Sequence, residues 1–333
     1  MRFILLLLTF SFITVGFGQD LHLSQFYTNK MNLNPAFSGR YDGTYQFSGN
    51  YRNQWREAGT PLNTIFFSFD KHFFIHADEL NVGILFNDDQ FAGYNQRTNK
   101  FLLNASYTKR LGLNKLSAGI QMGVVLSSTD FSNQTFPNQW VYLNGEFDQN
   151  VQNGETNLSA NQAYFDANMG LVWSRKFNNI TPTVGFSVYH INKPKDTYNE
   201  TYIERLRMRK VFFTEVDWRI KNNLSIEPKF LYMWTTNAQD LIVGTNLKKH
   251  LNSKIIHHIY AGVMMRTGFS RNIDAIFPTI GFNIDKFDVG FSYDINVSQL
   301  SQYNNSKSSL EWSVVYTFPM FNPKKLAIPC DRY

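Results

Sequence analysis

The chain lacks most of the residues on which common kinds of functional site depend. It contains a single cysteine, Cys330, among 333 residues, which excludes an intramolecular disulfide framework. It also has no Gly-rich phosphate loop and no Cys/His cluster with metal-ligand spacing. The sequence therefore predicts no cofactor and no metal.

Long hydrophobic runs are missing beyond the first residues. Residues 1–18 combine Arg2, an apolar stretch at 3–15 and the small residues Gly16 and Gly18, which is the pattern of a secretory signal peptide. Every later apolar run is interrupted by Gly, Asn, Ser or charge, which argues against membrane-spanning helices. We expect Sec-type export with cleavage before residue 19.

Concentrated charge is missing too. The net charge is +6, with 32 Lys and Arg spread along the chain, and no basic patch alternates with aromatic residues. Nucleic acid is therefore not an expected partner. Aromatic residues, in contrast, are plentiful, with 31 Phe and 17 Tyr. This composition suits outer-membrane barrels, in which aromatic belts lie at both membrane interfaces.

Alternation of apolar and polar residues is the dominant pattern that is present. Successive side chains of a strand point to opposite faces, so alternation predicts a ribbon with one apolar and one polar face. In residues 115–127 the alternate positions are mostly Ser, Gly and Gln, and the apolar positions are Leu116, Ala118, Ile120, Met122, Val124 and Leu126. The ribbon has about the length of a membrane-spanning β-strand, roughly 9–11 tilted residues.

About fourteen such ribbons follow one another between residues 43 and 318. Their connections alternate between short turns and longer loops, of which 128–161 is the longest. Bacterial barrels have short periplasmic turns and long external loops. The sequence thus predicts an all-β, antiparallel, transmembrane outer-membrane β-barrel with a periplasmic N-terminus. A soluble β-domain or a propeller is the alternative, but no internal repeat supports it.

Polar residues at the alternate strand positions that should face inward predict a hydrophilic lumen. They are Asn50, Arg52, Asn104, Asp166, Asn168 and Glu227. Two histidine pairs are candidates for chemistry. His72 and His76 fall in a predicted periplasmic turn at 71–79 without an HExxH glutamate. His257 and His258 fall in a strand, with one ring expected toward the lumen and one toward lipid or the membrane interface. No signature joins them to a nucleophile, so a barrel hydrolase is only a minor alternative.

Several short motifs do not fit the strand pattern. Asn32–Gly39, which contains Asn34 and Pro35, carries turn signals, and residues 50–55 end with Arg52, Asn53, Gln54 and Trp55. Together with Ser24-Gln-Phe-Tyr27, Phe67-Ser-Phe-Asp70 and the ending Ile328-Pro329-Cys330-Asp331-Arg332-Tyr333, they resemble the PorP/SprF family of type IX secretion system membrane proteins. The family tail is typically Ile-Pro-Cys-Pro-Arg-Phe, so Asp331 and Tyr333 are departures.

The resemblance implies an outer-membrane barrel of Bacteroidota, a Gram-negative group, that is not an enzyme. It implies support for export or surface attachment of type IX cargo, often gliding adhesins, and contact with periplasmic components of the secretion machinery. The candidate partner-contact or structural residues are those of the motifs: Asn34, Pro35, Arg52, Asn53, Gln54, Trp55, Pro329 and Cys330.

Four segments follow from these observations. We expect a signal peptide at 1–18, a periplasmic or plug segment at 19–42, the barrel at 43–318 and a periplasmic tail at 319–333. The expected partners are outer-membrane lipid, periplasmic machinery at the two termini and secreted cargo at loop 128–161. The competing hypothesis is a diffusion porin or a hydrophobic-solute channel, which requires an unobstructed lumen.

Overall fold

The computed structural model describes residues 23–319, apart from 56–60, 92–94, 133, 155–159, 198–203, 237, 269–272, 299–300 and 302–306. The expected signal peptide and residues 320–333 of the expected tail lie outside the described residues. Within the described ranges, no helix has the length and hydropathy needed to cross a bilayer.

Fourteen antiparallel strands close into one barrel, because β1 pairs with β2 on one side and with β16 on the other. The predicted count of about fourteen is confirmed. The barrel strands are β1 (Tyr45–Gln54), β2 (Leu62–Ile75), β3 (Asp78–Phe91), β4 (Gln96–Leu111), β5 (Asn114–Thr129), β8 (Asn161–Arg175), β9 (Ile180–Tyr189), β10 (Arg209–Lys221), β11 (Leu224–Trp234), β12 (Gln239–His250), β13 (Ile256–Thr267), β14 (Ile273–Ile284), β15 (Phe287–Asn296) and β16 (Lys307–Phe318). The short strands β6 (Trp140–Val141) and β7 (Glu146–Phe147) form a separate hairpin.

The connections alternate as predicted. Those at one end of the barrel are residues 76–77, 112–113, 176–179, 222–223, 251–255 and 285–286, whereas the other end carries loops such as 130–160 and 190–208. The end with short turns is therefore periplasmic. The predicted turn at 71–79 is wrong in extent, because β2 and β3 continue to residues 75 and 78 and leave a two-residue turn.

Strand β5 shows how the alternation positions side chains. Leu116, Ile120 and Val124 are 44–52% exposed on the outer face, as expected for side chains that face lipid, whereas Ser117 and Gln121 are buried on the inner face. The predicted inward residues Asn50, Arg52, Asn104, Asp166 and Asn168 are all buried, and Glu227 is largely so. The outside is thus apolar, and these inward positions are polar.

The main hydrophobic core lies inside the lumen. Residues 23–44, called the luminal segment below, cross the interior and include helix α1 (Lys30–Leu33) and a 3-10 turn at Pro35–Phe37. Phe26 and Phe37 both pack edge-to-face on Phe213 of β10, with ring centroids 5.9 and 5.4 Å apart. Buried apolar residues of the wall surround this contact: Val172, Val211, Leu231, Ile242, Met264 and Phe277. The N-terminal segment therefore packs into the lumen as a core does in a soluble domain.

Candidate functional site

Wall side chains hold the backbone of the luminal segment. The hydroxyl of Tyr189 donates to the carbonyl of Asn32 at 2.8 Å, and the amide of Asn104 donates to the carbonyl of Pro35 at 3.1 Å. A non-strand backbone inside a barrel needs such partners, since a buried carbonyl without a hydrogen bond is costly. The polar lumen predicted from the sequence therefore serves, at these positions, to bind the chain's own N-terminal segment.

Asn34 is the centre of this attachment. Its side-chain oxygen caps the 3-10 turn by accepting from the N–H of Ala36 at 2.8 Å. Its side-chain nitrogen donates to the carbonyls of Leu171 and Phe186, at 3.1 and 3.0 Å, which belong to the paired strands β8 and β9. One amide thus shapes the turn and fixes it to the wall.

Glycines of the wall leave room for this turn. A Cβ atom on Gly119 of β5 would lie only 2.5 Å from the carbonyl carbon of Pro35 and 2.6 Å from the nitrogen of Ala36. Such contacts are impossible without moving the backbone. Gly170 leaves similar space beside Asn34. The turn at 34–36 is therefore seated where the wall has no side chains.

A buried ionic network, called the luminal charge cluster below, lies toward the external end of the lumen. It comprises Arg52 of β1, Arg266 of β13, Asp294 of β15 and Glu311 of β16, all at most 4% exposed. The guanidinium groups of Arg52 and Arg266 lie 3.3 and 2.7 Å from Asp294. The two guanidinium groups are paired with buried carboxylates, and Arg266 also pairs with the exposed Asp274 at 3.2 Å, as buried charges require.

The luminal charge cluster also binds the start of the luminal segment. The carboxylate of Glu311 accepts from the backbone N–H groups of Ser24 at 2.7 Å and Gln25 at 3.0 Å. The hydroxyl of Ser24 donates to Asp294 at 2.8 Å. Charge-assisted hydrogen bonds of this kind are about twice as strong as neutral ones. The described N-terminal residues are therefore anchored near the external end of the barrel.

The periplasmic end of the lumen contains a cavity of about 620 Å³. Charges of both signs line it in pairs: Lys30 lies 2.6 Å from Glu215, and Lys229 lies 2.7 Å from Glu227. Tyr27 of the luminal segment borders the same cavity, with the Lys229 ammonium 4.8 Å from its ring centroid. Burial raises the pKa of Tyr27 to about 12.

The histidine predictions need correction except for His76, which is exposed in the two-residue turn as predicted. His72 is buried in β2 rather than exposed in a turn, and its ring stacks on Tyr41 at 5.3 Å. His257 and His258 both border the periplasmic cavity, because the register of β13 shifts between residues 256 and 258. His258 lies 3.0 Å from Asp288. Within the described residues, no group of three His, Cys, Asp or Glu side chains is arranged to hold a metal ion.

The remaining motif residues lie apart from the luminal segment. Asn53 and Gln54 end β1 at the external side, where the amide of Asn53 donates to Asn63 at 2.5 Å. Trp55 follows with a left-handed φ of 56° and packs edge-on against Phe91, while remaining 46% exposed. Asn34, Pro35 and the luminal charge cluster are thus inside, whereas residues 53–55 shape the external rim.

Two predicted site residues, Pro329 and Cys330, lie outside the described residues. Conversely, three members of the luminal charge cluster were missed: Arg266, Asp294 and Glu311. The sequence carries a signal for two of them, since Asp294 and Glu311 are carboxylates at inward-facing positions of predicted strands. Charges at such positions need a partner in the lumen.

A closed fourteen-stranded barrel with an apolar exterior and many polar side chains facing its lumen is an outer-membrane protein of a Gram-negative bacterium. Residues 15–316 match the model of the type IX secretion system membrane proteins PorP/SprF, and the chain belongs to this family. The family and the fold are those of a secretion or transport membrane protein, and membership implies association with the secretion machinery.

Solved structures agree on the architecture. The toluene transporter TbuX of Ralstonia pickettii is similar with a TM-score of 0.51 at 9% identity, covering 87% of this chain and 92% of the transporter. The monoaromatic hydrocarbon channel CymD is similar with a TM-score of 0.53 at 10% identity, covering 91% and 95%. At such identities the likeness concerns the fold alone. A search of curated proteins finds no match.

Proposed function

We propose that this chain is a non-enzymatic accessory barrel that supports type IX export or surface attachment of cargo such as gliding adhesins. Membership of the PorP/SprF family across residues 15–316 is the observation that carries the proposal. The external loops contact the cargo, and the periplasmic end contacts the machinery. The luminal segment acts as a plug, so that the barrel wall serves as a scaffold rather than as a conduit.

The packing of the lumen supports these roles of the luminal segment as a plug and of the wall as a scaffold. The luminal segment is attached along its length, from Ser24 at the luminal charge cluster, through Asn34 on β8 and β9, to Tyr41, whose hydroxyl donates to the carbonyl of Asp70. An open diffusion pore has no need for such an attached segment. The cavity left at the periplasmic end, together with Pro319 at its border, is an accessible site for a periplasmic partner.

Deletion of the gene followed by complementation tests the proposal. Surface proteins are identified by brief protease treatment of intact cells and mass spectrometry. We expect a defined set of type IX cargo to disappear from the surface of the deletion strain and to return with the wild-type gene. An unchanged surface proteome contradicts the proposed function.

A tail variant separates the two ends of the barrel. Replacing residues 320–333 by Gly-Ser residues of equal length removes Pro329 and Cys330 but leaves the described barrel intact. We expect the variant to insert normally and to fail to restore cargo display, with Cys330→Ser as the control for the thiol alone. Full restoration by the tail variant contradicts a role of the tail in partner binding.

A hydrophobic-solute channel is the second candidate, because the similar structures include a toluene transporter and a hydrocarbon channel. An apolar inner wall that contains Phe213, Met264 and Phe277 supports it. This function requires the luminal segment to move aside. Conductance in planar bilayers that appears only after deletion of residues 19–42 indicates a plugged scaffold, whereas conductance of the intact protein supports the channel.

A further inference from the structure

The longest external connection carries a small folded unit with an apolar tip. Residues 136–151, called the external hairpin below, contain β6 and β7 and lie in the connection between β5 and β8. Tyr142 and Leu143 at its tip are 91% and 95% exposed. These are the highest exposures among the large hydrophobic side chains of the described residues.

The external hairpin is held together by its own contacts. Gln139 is buried at its base, where its side-chain nitrogen donates to the carbonyl of Val151 at 3.0 Å and its oxygen accepts from the N–H of Phe136 at 3.0 Å. Trp140 and Phe147, opposite each other in the two short strands, pack edge-to-face with centroids 4.9 Å apart. The tip is thus presented on a preorganised support, which lowers the entropic cost of binding.

The tip residues contribute little to this support. Gly145 closes the turn in the left-handed region with φ of 68°, and its N–H donates to the carbonyl of Val141 at 2.9 Å. Turn positions are usually Gly, Asn, Asp, Ser or Pro, because these residues fit the backbone or bond to it. Tyr142 and Leu143 do neither and remain in solvent. An exposed Tyr is typical of binding hot spots, and Leu143 beside it extends the apolar surface of the tip.

The charge of the loop indicates what the tip binds. Residues 130–160 contain the carboxylates Asp130, Glu146, Asp148 and Glu155 and no Lys, Arg or His, although the whole chain has a net charge of +6. Segments that lie on anionic membrane surfaces are rich in Lys and Arg instead. A protein surface with an apolar cleft and a basic rim complements this loop in both respects.

We propose that Tyr142 and Leu143 are the anchor of a docking site for an exported protein, which receives them in an apolar cleft bordered by Lys or Arg. The proposal rests on the proposed function, since the partner is one of the cargo proteins that the barrel retains at the surface. The external hairpin provides the contact, and the barrel holds it at the membrane.

A photoreactive benzophenone side chain at position 142 tests the contact in intact cells. We expect a covalent adduct with one of the proteins that disappear from the surface when the gene is deleted. The same side chain at Gln149, an exposed position away from the tip, serves as the control and should give at least about tenfold less adduct. Adducts with lipopolysaccharide alone contradict the proposal.

Two variants test the chemistry of the docking site in the complemented deletion strain. Tyr142→Ser with Leu143→Ser should lower surface cargo by about tenfold or more, whereas Gln149→Ser should restore it fully. Glu146→Lys should lower cargo binding by several-fold because it opposes a basic rim. Full restoration by the double variant contradicts the docking site only. If deletion of the gene does not change surface cargo, both this inference and the proposed function fail.

Discussion

Neither the luminal segment nor the external hairpin is part of the barrel sheet, and different contacts hold each of them in place. The luminal segment depends on the wall, through Glu311 at its start and the carbonyls of Leu171 and Phe186 at its middle. The external hairpin depends on itself, through Gln139 and the pair of Trp140 with Phe147. The luminal segment packs inside the lumen, whereas the tip of the external hairpin is exposed to solvent.

This difference follows from where water is available. Inside the lumen, buried polar groups such as the backbone of Ser24 and the amide of Asn34 find partners on the wall, so segment and wall form a single unit. Outside, water satisfies the polar groups, and only internal contacts can give the hairpin a fixed shape. The external hairpin can therefore change or bind a partner without disturbing the barrel, as the docking site proposed above requires.

Arg52→Ala is the substitution that we expect to have the largest effect on this arrangement. It leaves the luminal charge cluster with one cation, Arg266, against two buried carboxylates. Removing one partner of a buried ionic network typically costs about 3–5 kcal/mol of unfolding free energy. Urea titration of the barrel in phospholipid vesicles measures this loss.

The matched control is Arg97→Ala. Arg97 also pairs with a carboxylate, that of Asp88 at 2.7 Å, but its side chain is 56% exposed. Exposed ion pairs contribute less than about 1 kcal/mol. Equal losses for the two variants would mean that the luminal charge cluster is hydrated and does not hold the segment.

Gly119→Val should have the next largest effect. Its side chain would occupy the place of the backbone at Pro35 and Ala36, so the turn must leave the wall. Overpacking of this kind costs about 1–3 kcal/mol, and we expect the displaced segment to permit ion conductance in planar bilayers. Ala118→Val adds similar bulk on the outward face of the same strand and serves as the control. Wild-type stability and conductance for Gly119→Val would contradict the seating of the turn.

The barrel itself was largely predictable from the sequence. Alternation of outward apolar and inward polar residues repeats in strand after strand. A shift by one residue would expose the wrong face, so the pattern predicts both that each strand exists and which of its faces points outward. The prediction failed at the end of β2, where Phe73, Phe74 and Ile75 are three successive apolar residues that hide the alternation. His72 was consequently assigned to a turn, although it lies in the strand.

The site was predictable only in part. The sequence predicts a structured turn at residues 32–39. The position of this turn in the lumen depends on backbone carbonyls more than a hundred residues away. It also depends on the absence of side chains at Gly119 and Gly170. Neither feature has a local signature. The external hairpin, in contrast, has a turn signal at Asn144-Gly145. Its two strands have only two residues each, which is too short to show alternation.

Gln139→Ala has the smallest expected effect among the substitutions that distinguish the luminal segment from the external hairpin. It removes the side-chain hydrogen bonds of Gln139 to Phe136, Val151 and the carbonyl of Gln149, and it costs about 1–2 kcal/mol locally, which corresponds to roughly 5- to 30-fold more frequent opening. The rate of protease cleavage within residues 134–151 should rise accordingly. The unfolding free energy of the barrel should stay within about 0.5 kcal/mol of the wild-type value. Gln149→Ala is the control, since only the backbone carbonyl of Gln149 contacts Gln139. A loss of barrel stability with Gln139→Ala would show that the hairpin, like the luminal segment, depends on the wall.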